Sequence, residues 1–301
     1  MSKKSIEPLS QEWLNELESI EYSPEIAHRI RDLVALLHTA DVLVDKYSSR
    51  KRLLSKMEPM ELIAHYYFAH SYHLGLSIYH LCKLGFGNAS LILVRALVEA
   101  LIDFSYLWLC KEISGAGTDE RAAWGNFGFV RRKNMENKWN DLQQHRDIKK
   151  LPRLDSILFS DIERKERLTY EVGNFKKDFK RNFWAKIKPL DQRARAVDDT
   201  QLLSVRTGIV LEQVYTTVYK YTSELVHGES ASTNAYMRHE SGGLNVDFGP
   251  SKYNIDLAIP MANEALLSIL HIFNHVNNVR LTLIDQILLA GFTVPGSGNI
   301  V

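Results

Sequence analysis

The sequence predicts an all-α protein: a multi-helix bundle with a helical insertion and a minor β-hairpin. Three observations carry that expectation. Apolar residues recur at three- and four-residue spacing in long segments along the chain. The stretch from Ala89 to Cys110 is apolar around most of its circumference, the pattern of a helix buried on most sides. Helix start and stop signals bracket these segments, as at Ser23-Pro24-Glu25 and at Gly85 and Gly87.

The first helix is expected from Pro24 to about Tyr47, with Ser23 as N-cap and Pro24 at the first helical position. Ile26, Ile30, Leu33, Leu37, Ala40 and Val44 make its apolar face. A second runs from about Pro59 to Gly85 and is rich in His and Tyr. The apolar stretch follows after a short connection, so the two are expected to be antiparallel neighbours. Asn88 reads as its N-cap, and Gly115 and Gly117 lie past its end. It is long enough to cross a membrane. Its three charges, Arg95, Glu99 and Asp103, would each cost about 2.5–3.5 kcal/mol at the bilayer centre, and its Leu, Ile, Val and Phe residues return only about 0.3–0.6 each. It is therefore expected to be the central helix of a soluble bundle, with no membrane partner.

Thr118 is expected to cap a more polar helix reaching about Gln144. Residues 130–195 then carry 19 Lys and Arg against 10 Asp and Glu in a chain whose net charge is +1. Two readings of this basic helical insertion stand: a solvated face, or a surface for phosphates such as those of RNA. Phe175, Phe179, Phe183 and Trp184 interleave with Lys176, Lys177, Lys180 and Arg181, at a spacing that suits the buried face of a helix. Pro189 to Thr200 reads as a polar break. Helices are expected from about Gln201 to His227 and from about Pro260 to Ala290. Between them Leu244–Phe248 reads as a short strand paired with Tyr253–Leu257. The chain is taken as one domain, 1–301, with core helices in about 24–113 and 201–290.

The two cysteines, Cys82 and Cys110, lie inside apolar runs, which argues against disulfides, structural zinc and a cysteine nucleophile. The first residues lack the apolar core of a signal peptide, so a cytoplasmic location is expected. No phosphate-binding Gly loop, nucleophile elbow or zinc-protease helix is present, and no cofactor is expected. His70, His73 and His80 could share a helix face, but paired Glu-x-x-His motifs are missing, so packing is the simpler reading. A homodimer is compatible with the pattern, which does not itself set the oligomeric state.

Chemistry is expected where distant segments converge. Arg95, Glu99 and Asp103 are spaced i, i+4, i+8 and form one stripe. Tyr219, Ser223, Glu224 and His227 close the penultimate helix, where the helix dipole favours an imidazolium. A His beside an Arg and a carboxylate can act as acid or base while the Arg stabilises charge on a phosphate. The alternative is structural: Arg95 pairs with Glu99, and His227 caps its helix end.

Leu93-Val94-Arg95-Ala96-Leu97-Val98-Glu99-Ala100 and Tyr221-Thr222-Ser223-Glu224-Leu225-Val226-His227-Gly228 resemble a family of bacterial helical proteins of unknown function. That family has an Arg-x-x-x-Glu helix and a C-terminal Ser-x-x-x-His signature, and Phe183-Trp184-Ala185 also fits. The likeness covers roughly Leu62 to His227. Such proteins are similar in outline to the HEPN superfamily, which includes metal-independent RNases of toxin and anti-phage defence systems. The resemblance implies Arg95, Glu99, Ser223 and His227 as the shared catalytic centre. It departs from the HEPN nuclease pattern in one respect: no Arg stands shortly before His227, so Arg95 would supply that charge from another helix. Two functions follow: an RNase with His227 as acid/base, or a non-enzymatic binding or sensor module in which the same residues form a polar network.

Overall fold

The computed structural model describes residues 22–48, 57–116, 120–125, 184–227, 237–240, 243–246 and 254–278. Four long helices build the core: α1 (Pro24–Ser48), α2 (Pro59–Lys83), α3 (Gly87–Trp108) and, from the far end of the chain, α8 (Ile255–Asn277). The expected central helix is α3. It packs against both α2 and α8, and α8 also covers α1 and α2. Leu91, Val94, Leu97, Leu101, Ile102 and Phe104 on α3 are fully buried. Each such side chain contributes roughly 1.5–3 kcal/mol on leaving water. Gly75 allows the close approach of α2 to α1 and α8: a Cβ there would lie 2.7 Å from Leu266 Cδ1 and 3.2 Å from Leu37 Cδ2.

Local sequence sets the helix ends. Ser23 Oγ accepts from the Ile26 N–H, and Pro24 opens α1. Glu58 and Glu61 form a capping box at the start of α2, with Pro59 at its first position. Gly85 turns the chain in the left-handed region, φ 80°, where a Cβ is disfavoured. Asn88 does not cap α3: Phe86 holds the N-cap position, and the Asn88 side chain accepts from Asn254 Nδ2 at 2.7 Å instead.

Of the smaller helices, α4 (Leu190–Asp198) leans on α3, α5 (Leu202–Thr207) packs on α4 and α8, and α6 (Leu211–Val214) packs on α4 and on a π-helical segment, Tyr215–Tyr219; that segment and α7 (Lys220–His227) lean on α3 again. Two expectations fail here. Pro189–Thr200 is a helix rather than a break, because Leu190, Ala194 and Val197 recur at helical spacing beneath its charges and Arg193 is buried with them. The 201–227 run is not one helix, because Gly208 stands at φ +75° and ends α5. Asp198 starts the next helix, accepting from the Leu211 and Glu212 N–H groups at 2.9 and 2.7 Å.

The strand at β2 (Gly243–Val246) pairs antiparallel with β1 (Met237–Glu240), upstream of it. Of the partner strand expected at 253–257, the described residues from Ile255 onward lie in α8 instead. Helix α8 therefore starts before Pro260, which lies inside it, and it ends at Asn277 with Asn278 in the left-handed region; residues 279–290 of the expected helix lie outside those described. Among the described residues α8 alone is long and apolar enough to cross a bilayer, and 67% of its most apolar window is buried in the bundle. The helix expected over 118–144 is seen only as a helical stretch at 120–125. The basic segment is seen only from Trp184 onward, so Lys176, Lys177, Lys180 and Arg181 lie outside the described residues.

Candidate functional site

The charged stripe of α3 faces a seam between α2 and the smaller helices, and its two ends are treated differently. At the far end Asp103 meets Arg193 of α4. Arg193 Nη2 lies 2.8 Å and Nε 2.9 Å from Asp103 Oδ1, with the two side chains 2% and 13% exposed. The same guanidinium donates through Nη1 to the Ile187 and Lys188 carbonyls at 3.2 and 2.5 Å, and it lies over the Trp184 ring, 5.4 Å from its centroid. Burial pushes the Asp103 carboxyl up to about 6 despite Arg193, with Glu99 adding to the rise. Tyr67 stacks on Phe104 beside this pair and accepts from Trp124 Nε1 at 3.0 Å. Its phenol is raised well above the usual range by burial and then by Asp103.

At the near end Arg95 finds a tyrosine. Arg95 Nη2 donates to Tyr219 Oη at 3.2 Å, and the guanidinium lies 4.8 Å from the centroid of that ring. Its buried Nε–H meets no acceptor among the described residues. Glu99, one turn along, is exposed, and among the described residues the two form no ion pair. The i, i+4 pairing of the structural alternative is therefore missing. His70 of α2 lies across the seam. Desolvation and then His73 hold its imidazole below the usual range, while Glu99 pulls it up. His70 also stacks on Tyr66, ring centroids 5.8 Å apart. The seam thus collects Arg95, Glu99, His70 and Tyr219 from three elements.

The remaining site residues lie further along α7. Tyr221 Oη accepts from Asn254 Nδ2 at 3.4 Å, and that amide also holds Asn88 at the start of α3. Tyr219 and Tyr221 thus tie the start of α7 to Arg95 and, through Asn254, to Asn88 on α3. Ser223 and Glu224 are half-buried one turn beyond Tyr219. His227 lies eight residues beyond Tyr219 (219 to 227), about 12 Å along the axis at ~1.5 Å per residue. Its side chain is outside those described. Glu99 lies on the opposite side of Arg95.

Sequence reasoning named Tyr219 but passed over Arg193, and it weighed His70 only as a metal ligand. The Leu190, Ala194, Val197 spacing was the available signal for a helix that buries one face. Among the described residues no three His, Cys, Asp or Glu side chains converge to hold a metal ion.

A family model described as "Family of unknown function (DUF5677)" matches residues 61–244, more than half of the 301-residue chain. The chain belongs to the DUF5677 family. The matched span of this DUF5677 protein holds the whole seam: Arg95, Glu99, His70, Tyr219, Ser223, His227 and the Asp103–Arg193 pair. No curated protein and no solved structure matches the chain.

Proposed function

We propose that this DUF5677 protein is a HEPN-like RNA-directed protein of the toxin or defence type, cleaving RNA without a metal. The observation that carries the reading is the state of Arg95. It lies against Tyr219, Glu99 does not pair with it among the described residues, and its side chain is half-buried rather than sealed in the core. A guanidinium so placed is ready for a phosphate, which takes two donors from its planar fork. In this scheme His227 is the acid/base and Ser223 completes the polar centre, while Glu99, exposed and unpaired with Arg95 among the described residues, has no orienting part. A base draws the proton from a 2′-hydroxyl, whose oxygen bonds to phosphorus. The P–O5′ bond breaks, and the 5′-oxygen takes up a proton. Arg95 stabilises the charge that builds on the phosphate between these events.

A second reading is non-enzymatic binding at the same seam, and one observation favours it. The rise of α7 offsets the His227 position from Tyr219 by about 12 Å, a distance that a bound phosphodiester would have to bridge. The test is analysis of co-purified nucleic acid and of cleavage products for wild type and His227→Ala. Cleavage that disappears in the variant at an unchanged melting temperature supports the RNase. RNA retained equally by both proteins and left intact supports the binding module.

A further inference from the structure

The helix opposite Arg95 is not an ordinary α-helix. Residues 215–219 form a π-helical segment, in which the Lys220 N–H bonds to the Tyr215 carbonyl. Such wide turns are rare and concentrate at functional sites. Threonines bond the carbonyls around it: Thr217 Oγ1 donates to Gln213 at 2.8 Å, and Thr222 Oγ1 to Val218 at 2.7 Å and Tyr219 at 3.1 Å. The segment is thereby held in a geometry that costs helix regularity, and its outcome is an aromatic pair. Tyr215 and Tyr219 stack with centroids 5.0 Å apart and planes at 18°. Arg95 lies over the Tyr219 ring at 4.8 Å, and the Lys220 Nζ lies 5.8 Å from the Tyr215 centroid.

Both rings are half-buried, and Lys220 is exposed. A purely structural stack would hide its rings in the core; Tyr215 and Tyr219 both keep part of their surface exposed. Two cations flank two parallel rings, which is the composition of a site for a planar base joined to phosphate. Asp191 of α4 is close enough to Tyr215 to help raise its phenol, after desolvation. Its carboxylate repels phosphate on the α4 side and leaves Arg95 and Lys220 as the backbone's partners.

We infer that the Tyr215–Tyr219 pair is a stacking subsite for an unpaired base of single-stranded RNA, with the adjoining phosphates on Arg95 and Lys220. This rests on the RNA reading of the same seam and narrows it: a duplex, whose bases are already stacked, is not a ligand.

The experiment measures equilibrium binding of labelled single-stranded 2′-O-methyl RNA, which lacks the attacking hydroxyl and cannot be cut. A second oligomer of equal length and phosphate count lacks the bases. Full-length wild type, Tyr215→Ala and Tyr215→Trp are compared. The expected result is that wild type prefers the base-bearing oligomer by about tenfold or more, the order that loss of one stacked aromatic removes. Tyr215→Ala should lose that preference and Tyr215→Trp keep it. If Tyr215→Ala fails to fold, the wild-type comparison of the two oligomers and the Tyr215→Trp result still decide. Equal affinity for both oligomers would overturn the stacking subsite and leave a phosphate-binding seam standing. No binding of either would overturn the subsite and the RNA reading together.

Discussion

At Asp103 the polar stripe of the central helix meets a buried arginine that pairs with the carboxylate and hydrogen-bonds it and two backbone carbonyls. Two turns earlier, at Arg95, the same stripe meets a tyrosine ring, and the arginine stays half-buried. Both places hold a charge that the helix would otherwise bury at a cost of several kcal/mol. One is closed by a partner contributed for that purpose by α4. The other is only half answered. A fold that needed nothing but satisfied charges would have closed both, and under the proposed function the contrast sets a structural lock against a site kept for a ligand.

Removing the lock should give the largest effect. Arg193→Ala leaves Asp103 buried without its counter-charge and is expected to cost about 3–5 kcal/mol in chemical denaturation at pH 7. The loss should shrink toward pH 5, because a carboxyl already near 6 then takes up a proton. A loss below 1 kcal/mol, or one that does not vary with pH, would break the contrast. The wild type should show the matching signature. The Asp103 pKa is raised from an unfolded value of about 3.9 to about 6. Stability from this group is therefore complete below pH 4 and is lost as pH rises through 6. About two units correspond to about 3 kcal/mol. Asp103→Asn should flatten that part of the profile, and a profile unchanged in the variant would reassign the effect to another group. A smaller effect tests the link between the two ends. Asp198 of α4 caps the helix that leads into the π segment, so Asp198→Ala should cost about 1 kcal/mol, with Asp198→Asn milder. Because the cap positions Tyr219, RNA affinity should fall along with stability; affinity that held would uncouple the ends.

The long helices were legible because their signals are local and redundant: Ser23-Pro24 at one start, Pro59 with Glu61 at the next, and an unbroken apolar run in α3. Helix α4 was not legible by charge, since Leu190-Asp191-Gln192-Arg193-Ala194-Arg195 looks solvated until the fold buries Arg193. Nor was the π segment, whose register depends on Thr222 and on packing against α3 rather than on any residue pattern. The start of α8 was misplaced because Pro260 looks like a first helical residue, yet Asn254 turns the chain earlier in a left-handed conformation, φ 64°. At the site, a buried guanidinium's need for acceptors pointed from Arg95 to the group Tyr219, Ser223, Glu224 and His227; Tyr219 is the member seen on Arg95, and the His227 side chain lies outside those described. The absence of an Arg95–Glu99 pair was not legible, because i, i+4 spacing permits a pair without requiring it.

The central claim is that Arg95 is kept for a ligand while Arg193 is kept for the fold. Arg95→Ala tests it most directly, measured for unfolding free energy and for binding of uncleavable single-stranded RNA on the same preparation. The account expects stability within about 1 kcal/mol of wild type, as for a charge without a buried ion partner, together with an affinity loss of tenfold or more. A stability loss of about 3–5 kcal/mol with RNA affinity unchanged would contradict it and make Arg95 a second structural lock.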